Sequence, residues 1–294
     1  MIDLQAAREF MAGNTRLLDR RRFGVVVDGD PPDGALAALS AYRNPNGGYG
    51  WGLEPDLRFT SSQPGPALHA FEVFEDILPA TAPAATELCD WLGSVTLPDG
   101  GLPFALPIDD GGGSAPFWVD ADPTTSSLQI TAIVAAGAQR VAATDQAVAS
   151  HEWLARATEY LMDAIAALDE RPQTLELAFS VQFLDAVYDR HPRAEELLGK
   201  LSEYIPESGL VPVTGGIEGE TMKPLDFAPI PDRPTRDLFS PDVIAKDLER
   251  LAAGQQDDGG WEVDFASYSP AAALEWRGHA TVRALTILKR DAVI

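Results

Sequence analysis

Three of the glycine pairs in this chain lie within the same pattern of leucine, polar and large apolar residues. The three strings are LSAYRNPNGGY from Leu39, LGSVTLPDGGL from Leu92 and LAAGQQDDGGW from Leu251. Their first glycines, Gly47, Gly100 and Gly259, are 53 and 159 residues apart, and 159 is three times 53. A weaker copy, LSEYIPESGLVPV, places Gly209 opposite Gly260 at a spacing of 51. Such a period indicates an architecture of repeated units.

Each repeat combines a glycine turn with two helix-like segments. Apolar residues recur at steps of three and four before the glycine pair, as in AATELCDWL, and again after a proline-rich loop, as in PALHAFEVFEDIL. One helical hairpin cannot bury its apolar face alone, so the hairpins must pack on one another. Loops of about 20 residues are longer than stacked repeats use, which favours a closed ring. We therefore predict an all-α fold, an α/α toroid of α6/α6 type with about 11–12 helices, as a single domain over residues 1–294.

The charge and cysteine content exclude several classes of protein. A formal net charge of −23 repels nucleic-acid phosphates and anionic lipids, so neither is an expected partner. No apolar stretch is long enough to cross a bilayer or to act as a signal peptide, which predicts no integral membrane segment and a cytoplasmic location. Cys89 is the only cysteine, so a disulfide framework and a multi-cysteine zinc site are excluded. We expect no metal and no cofactor, and the oligomeric state stays open.

The third glycine string carries a resemblance to a known family. Leu251 to Trp261 fits L-x3-Q-x3-G-x-W, with Gln255, Gly259 and Trp261 at the defining positions. This pattern resembles the QW repeat of squalene-hopene cyclases and oxidosqualene cyclases, in the α/α toroid superfamily that also contains protein prenyltransferase β subunits. We expect Gln255 and Trp261 to be structural, because a glutamine amide and an indole can hold the loose end of a helix beside a glycine turn.

The resemblance also implies a catalytic string. Class II terpene cyclases carry an acidic D-x-D-D-T-A string whose central aspartate protonates an alkene, and the string DADPTT begins here at Asp120. The resemblance places Asp122 as the proton donor and Asp120 as its carboxylate neighbour, although Pro123 replaces the last aspartate. Two close carboxyl groups cannot both ionise, so one stays protonated and can act as an acid. The alternative is that Asp122 caps the following helix.

An alkene-protonating site also needs an apolar chamber with aromatic faces that stabilise a carbocation. The aromatic candidates for substrate binding are Trp51, Phe59, Phe71, Trp118, Tyr268 and Trp276, with Phe117 beside them. His69 and His279 lie on predicted helices next to aromatic residues, and either could hydrogen-bond the acidic pair. Asp109 and Asp110, before three glycines, indicate a loop.

The leading functional prediction is a class II-like terpenoid cyclase that protonates an alkene of a linear polyprenyl substrate. The expected partner is an apolar isoprenoid-like small molecule. Three alternatives stay open: a toroid that binds an isoprenoid or another lipid without converting it, a carbohydrate-active α/α barrel with two carboxylates, and an interaction scaffold with a filled centre.

Overall fold

The computed structural model describes residues 2–109 and 111–294, and these residues are predominantly helical. The longer α-helices are α1 (Leu4–Asn14), α2 (Leu17–Phe23), α3 (Asp33–Ser40), α4 (Pro64–Asp76), α5 (Pro83–Val95), α7 (Leu128–Val141), α9 (Glu152–Ala167), α10 (Thr174–Val187), α11 (Ala194–Ser202), α13 (Pro241–Ala253) and α14 (Pro270–Arg290). Three single turns lie between them: α6 (Pro116–Val119), α8 (Gln146–Ala149) and α12 (Pro224–Phe227). A π-helical turn spans Gly24–Asp28, and a 3-10 turn spans Pro234–Leu238.

The all-α prediction is confirmed at the level of secondary structure. Within the described ranges, the strands are β1 (Val211–Pro212) and β2 (Thr221–Met222), which pair antiparallel. The 14 α-helices found among the described residues exceed the predicted 11–12 because three of them are single turns of four residues. None of the helices in the described part of the chain combines the length and the apolar character needed to cross a bilayer. The residues form two compact units, Leu39–Tyr204, and Met1–Ala38 with Ile205–Ile294.

Within the unit Leu39–Tyr204, the helices form two layers. Helices α4, α7 and α10 pack side by side, and α5, α9 and α11 form a second layer against them. Helix α7 lies in the middle of the first layer and buries 11 of its 14 residues. Its alanine-rich sequence lets both neighbours approach, and Gly137 leaves room for the side chain of Phe71 on α4. Continuous burial of this kind marks a helix packed on more than one side.

The second unit joins the two ends of the chain. Helix α14 packs against α1, α2, the π-helical turn and α13. The residues at the centre of this packing are apolar, and they include Phe10, Met11, Trp261, Leu285 and Leu288. Arg236 donates to both carboxylate oxygens of Asp291 at 2.8 Å, which ties the 3-10 turn to the end of α14.

The three glycine pairs adopt the same turn. In each, the first glycine has a positive φ, and its N–H donates to the carbonyl three residues earlier. The N–H of the second glycine donates at 3.1 Å to the side-chain oxygen two residues earlier, and those acceptors are Asn46, Asp99 and Asp258. At Gly259, φ is 92° and a Cβ atom would collide with the backbone of Ala6 in α1. The glycine is required there because the turn lies directly on a helix backbone.

The contacts of Gln255 and Trp261 confirm their predicted structural role. The Gln255 amide accepts from the N–H of Asp3 and donates to the carbonyl of Asp3, both at 2.8 Å. Asp3 is the N-cap of α1, so the glutamine holds the loose start of that helix. The indole N–H of Trp261 donates to the carbonyl of Leu251 near the end of α13 at 2.7 Å. The third turn therefore joins α13 to α1, the first helix of the chain.

The weaker fourth copy requires a correction of one residue. Gly209 has a φ of 69°, and its N–H donates to the carbonyl of Pro206, three residues earlier. The next N–H, of Leu210, donates to the hydroxyl of Ser208. The first bond is that of the first glycine in the other copies and the second is that of the second glycine, so Gly209 corresponds to Gly259, and Leu210 to Gly260.

Candidate functional site

Asp120 and Asp122 are exposed in the segment that follows α6. One carboxylate oxygen of Asp122 accepts from the N–H and hydroxyl of Thr124 at 2.9 and 2.6 Å, and the other accepts from the Thr125 hydroxyl at 2.7 Å. Hydrogen bonds from the Thr124 hydroxyl, the Thr124 N–H and the Thr125 hydroxyl lower the pKa of Asp122. A carboxyl group that is held ionised is a poor proton donor, so these bonds count against the predicted catalytic role.

The capping alternative for Asp122 also needs a correction. Helix α7 begins at Leu128, and its N-cap is Ser127, whose hydroxyl accepts from the N–H of Ile130 at 3.2 Å. Asp122 instead closes a short turn with the two threonines that follow it. It is therefore a turn residue of the loop that leads into α7.

The predicted binding residues lie in both units, and each unit is described by itself. The unit Leu39–Tyr204 holds Trp51, Phe59, His69, Phe71 and Trp118, and the other unit holds Tyr268, Trp276 and His279. In the second group, the ring of Trp276 makes edge contacts with Phe265 at 5.0 Å and with His279 at 5.5 Å. Tyr268 is exposed.

Two of the aromatic candidates meet in the loop that follows the first glycine pair. Trp51 has a φ of 56° and is 55% exposed, and its N–H donates to the carbonyl of Phe59 at 2.8 Å. Its indole donates to Asn44 at 2.8 Å. Phe59 is half-buried. The loop thus presents the Trp51 ring at the surface beside Phe59.

Phe71 and Cys89 belong to the packed interior. Phe71 is fully buried, and its ring stacks on Trp153 of α9 with the centroids 6.4 Å apart. Its position between the two helix layers favours a core role over ligand binding. Cys89 is also buried, and burial raises the pKa of its thiol to about 12, so this thiol stays protonated.

Trp118 forms an aromatic cluster with Phe104 and Phe117. Its ring centroid lies 4.6 Å from that of Phe104 and 5.5 Å from that of Phe117. The Trp118 ring packs on Gly65 at the start of α4, where a Cβ atom would overlap the indole. Trp118 is buried while Phe117 is 46% exposed, so the cluster is open on one side. Among the described residues, the indole N–H of Trp118 has no hydrogen-bond acceptor.

One turn along α4 from Gly65, His69 lies between two carboxylates. Its Nε2 is 2.8 Å from Oε2 of Glu54, and its Nδ1 is 3.2 Å from Oε2 of Glu72. His69 is 3% exposed. Burial by itself would lower the pKa of His69, but the charges and hydrogen bonds of Glu72 and Glu54 outweigh burial and raise the pKa to about 9. The imidazole is therefore cationic at neutral pH, which is the state that two adjacent carboxylates stabilise.

The same face of α4 carries further polar contacts. Glu75, one turn beyond Glu72, accepts from Arg140 of α7 at 3.3 Å. Arg140 also donates to Gln182 of α10 at 3.0 Å. Charged and amide groups thus bridge all three helices of the first layer. This face of α4 is therefore polar.

The loop after the first glycine pair connects this histidine to the aromatic cluster. The second carboxylate oxygen of Glu54 accepts from the N–H of Asp56 at 3.2 Å, and both acidic residues are buried. The carbonyl of Asp56 accepts from the N–H of Ala115 at 2.8 Å, directly before α6. Glu54, His69 and Glu72 therefore lie in the same region as Trp118, and we call these three residues the histidine–carboxylate group.

Sequence reasoning identified His69 but missed both of its partners. A signal for Glu72 was present, because a glutamate three residues after a histidine faces the same side of a helix. The signal for Glu54 was weaker. Glu54 lies in the string WGLEPDL, whose apolar residues suggest that this loop, and the acid in it, are buried. Asp109 is exposed, whereas Asp110 lies outside the described residues.

A surface groove of about 840 Å³ lies elsewhere in the unit Leu39–Tyr204. Residues of α9, the second glycine turn and the end of α10 line it, including Tyr160, Arg190 and His191. It contains none of the predicted site residues.

Comparison with models of known protein families finds none that matches this chain, and comparison with curated proteins finds no similar sequence. The assignment of function therefore depends on the residues themselves.

Proposed function

We propose that this protein is an α/α toroid that binds a neutral, oxygen-bearing isoprenoid-like lipid at the cluster of Phe104, Phe117 and Trp118. The observation that carries the proposal is the buried indole N–H of Trp118, which has no acceptor among the described residues and lies within an aromatic cluster open on one side. An unsatisfied buried donor costs about 1–3 kcal/mol, and a ligand oxygen would remove that cost. The aromatic rings would hold the apolar chain.

The repeat contacts support the toroid. Gly47 packs on the backbone of Glu87 in the next repeat, and Gly100 packs on Arg156 in the repeat after that. The last turn, at Gly259, packs on α1 at the start of the chain. A series of repeats in which the final turn contacts the first helix is what ring closure requires.

The charge near the aromatic cluster favours a neutral head group. Within the histidine–carboxylate group, Glu54 and Glu72 outnumber the one positive charge of His69, and the whole chain carries −23. These carboxylates would repel a diphosphate, whereas a hydroxyl group carries no such penalty. We therefore expect a prenol to bind in preference to the corresponding prenyl diphosphate.

Equilibrium binding of radiolabelled C15 and C20 prenols, with the matching diphosphates and squalene as competitors, tests this proposal. Phe117→Ala removes ring contacts worth about 1.5–3 kcal/mol, so prenol and squalene should both bind roughly 10–100-fold more weakly. Trp118→Phe removes the N–H together with part of the ring area, so squalene should bind somewhat more weakly and prenol should lose about a further tenfold.

Trp153→Phe is the matched control for the tryptophan variant. Trp153 also has a buried indole N–H without an acceptor among the described residues, but its ring stacks on Phe71 in the core. Its replacement should leave prenol affinity unchanged. Tighter binding of the diphosphates, or unchanged prenol affinity in both Phe117→Ala and Trp118→Phe, would contradict the proposal.

Cyclisation of the bound lipid is the second candidate function. Asp120 and Asp122 directly follow α6, the single turn that carries Phe117 and Trp118. Incubation with squalene and with C15 to C20 polyprenols, followed by mass spectrometry, should reveal a cyclic product that Asp122→Asn abolishes. A product that persists in Asp122→Asn would remove Asp122 as the acid, and the absence of any product leaves binding as the function.

A further inference from the structure

The spacing of two ligand atoms on α4 fits a metal ion. His69 and Glu72 are three residues apart and share one face of the helix, with Nδ1 and Oε2 3.2 Å apart. A cation bonded to an imidazole nitrogen and a carboxylate oxygen at about 2.0–2.2 Å holds these atoms about 2.8–3.6 Å apart for bond angles of roughly 90–109°. The pair therefore needs no rearrangement of the helix to accept an ion.

Glu54 occupies the position of an outer carboxylate in a metal site. A metal-bound histidine usually donates its other ring N–H to a carboxylate, which fixes the tautomer and the ring orientation. Nε2 of His69 lies 2.8 Å from the buried Glu54, and that carboxylate is itself held by the N–H of Asp56. Metal binding would displace the Nδ1 proton of the imidazolium, and with the remaining proton on Nε2 the lone pair of Nδ1 is directed toward Glu72.

The neighbouring charges distinguish Glu72 from the next acid on the helix. Glu75 is paired with Arg140, which supplies a positive charge there. Glu72 lies beside His69, and its side chain is 23% exposed, so ions and water can reach it. Two carboxylates around one imidazole favour a cation over an anion as the occupant.

From this geometry we infer that the histidine–carboxylate group binds a divalent transition-metal cation such as Zn²⁺, with His69 and Glu72 as ligands and Glu54 orienting the imidazole. A mixed nitrogen and oxygen ligand set suits Zn²⁺ or Co²⁺, whereas Mg²⁺ and Ca²⁺ prefer oxygen alone. The inference is independent of lipid binding, since it rests on contacts within the group.

This inference is tested by titrating the full chain with Co²⁺ and measuring visible absorption. Zn²⁺ is then added to displace the bound Co²⁺. The wild-type protein should bind one equivalent. Glu72→Gln should bind at least about tenfold more weakly because a neutral amide replaces a ligand, and Glu54→Gln should bind about 10–100-fold more weakly through the outer contact. His69→Gln should no longer bind this equivalent of Co²⁺.

His151→Gln supplies a matched control. His151 lies 3.1 Å from Asp90, so it has the same imidazole–carboxylate pairing at the surface. Its other ring nitrogen accepts from the backbone N–H of Trp153 and so takes the place of no metal ligand. This variant should bind Co²⁺ as the wild-type protein does. Absence of wild-type binding at millimolar Co²⁺ and Zn²⁺, or unchanged affinity in Glu72→Gln, would overturn the inference. If His69→Gln does not fold, Glu72→Gln still decides, because its side chain is partly exposed.

Discussion

Two pairs of carboxylates in the same compact unit have opposite surroundings. Asp120 and Asp122 are exposed, and the hydrogen bonds of Asp122 come from the two threonines beside it. Glu54 and Glu72 lie on either side of the buried His69. The pair Asp120 and Asp122 resembles part of a known catalytic string, whereas the pair beside His69 resembles none. Burial and hydrogen-bond partners therefore indicate which of these carboxylates could take part in chemistry better than the local sequence pattern does.

The difference also shows how far apart in sequence such partners lie. Asp122 is held by residues two and three positions away, so its contacts form wherever that loop forms. Glu54 reaches His69 across 15 residues, and this contact requires the loop after the first glycine pair to fold back onto α4. The buried group therefore depends on tertiary structure, and its removal should affect the whole unit.

The largest expected effect is the loss of stability in His69→Ala. The substitution leaves the buried Glu54 carboxylate without its imidazolium, and breaking one partner of a buried pair costs about 3–5 kcal/mol. Urea denaturation followed by circular dichroism measures this free energy of unfolding. His151→Ala, at the surface pair with Asp90, should cost far less. Equal losses in the two variants would mean that the His69 pair is no stronger than a surface pair.

A smaller effect is expected from pH. The pKa of His69 is about 9 in the folded protein and near 6.5 in an unfolded chain, so folding is favoured by protonation. The resulting stability, on the order of 3 kcal/mol, is fully present below pH 6.5 and is lost as the pH rises through 9. Urea denaturation at several pH values between 6 and 10, with a chelator present, measures it.

His69→Gln is the reference for that pH series, because it lacks the titrating group. Tyrosine and lysine residues also titrate at the upper end of this range, but they contribute equally to both proteins. The difference in free energy of unfolding between wild type and His69→Gln should therefore shrink as the pH rises. A constant difference from pH 6 to 10 would show that the two carboxylates do not hold a proton on His69.

The fold was more accessible from sequence than the site. Turns at Gly47, Gly100 and Gly259 depend on contacts within four residues, and amphipathic helices have a local period. Both can therefore be recognised from the local sequence. The one-residue error at Gly209 arose because Leu210 replaces the second glycine there. Closure of the ring is not recorded in local patterns and stays a proposal.

The site was harder to predict from the sequence than the fold, because the residues that interact in it are distant in sequence or follow a misleading local pattern. The pairing of Glu54 with His69 has no local pattern, since the loop between them could place a glutamate anywhere. Thr124 and Thr125 directly follow Asp122 and are strong local donors, so the ionised state of that carboxylate could have been anticipated from the sequence. The resemblance to the cyclase string directed attention to a proton donor instead.

The smallest expected effect is at Asp122, and it sharpens the contrast with His69. Asp122→Ala removes the acceptor for Thr124 and Thr125, so the turn before α7 should loosen and the melting temperature should fall slightly, by less than in His69→Ala. Asp122→Asn keeps one acceptor oxygen for the Thr124 donors, so its melting temperature should fall less than that of Asp122→Ala. Thermal unfolding of both variants at pH 7 measures this order.

The contribution of Asp122 to stability should also depend on pH. Because the pKa of Asp122 is lowered, this contribution is present above its ordinary value near 3.8 and is lost on acidification, so the two variants should converge with wild type at low pH. A stabilised Asp122→Asn would instead mean that the ionised carboxylate is unfavourable, as expected of a group kept for proton donation at a cost to the fold.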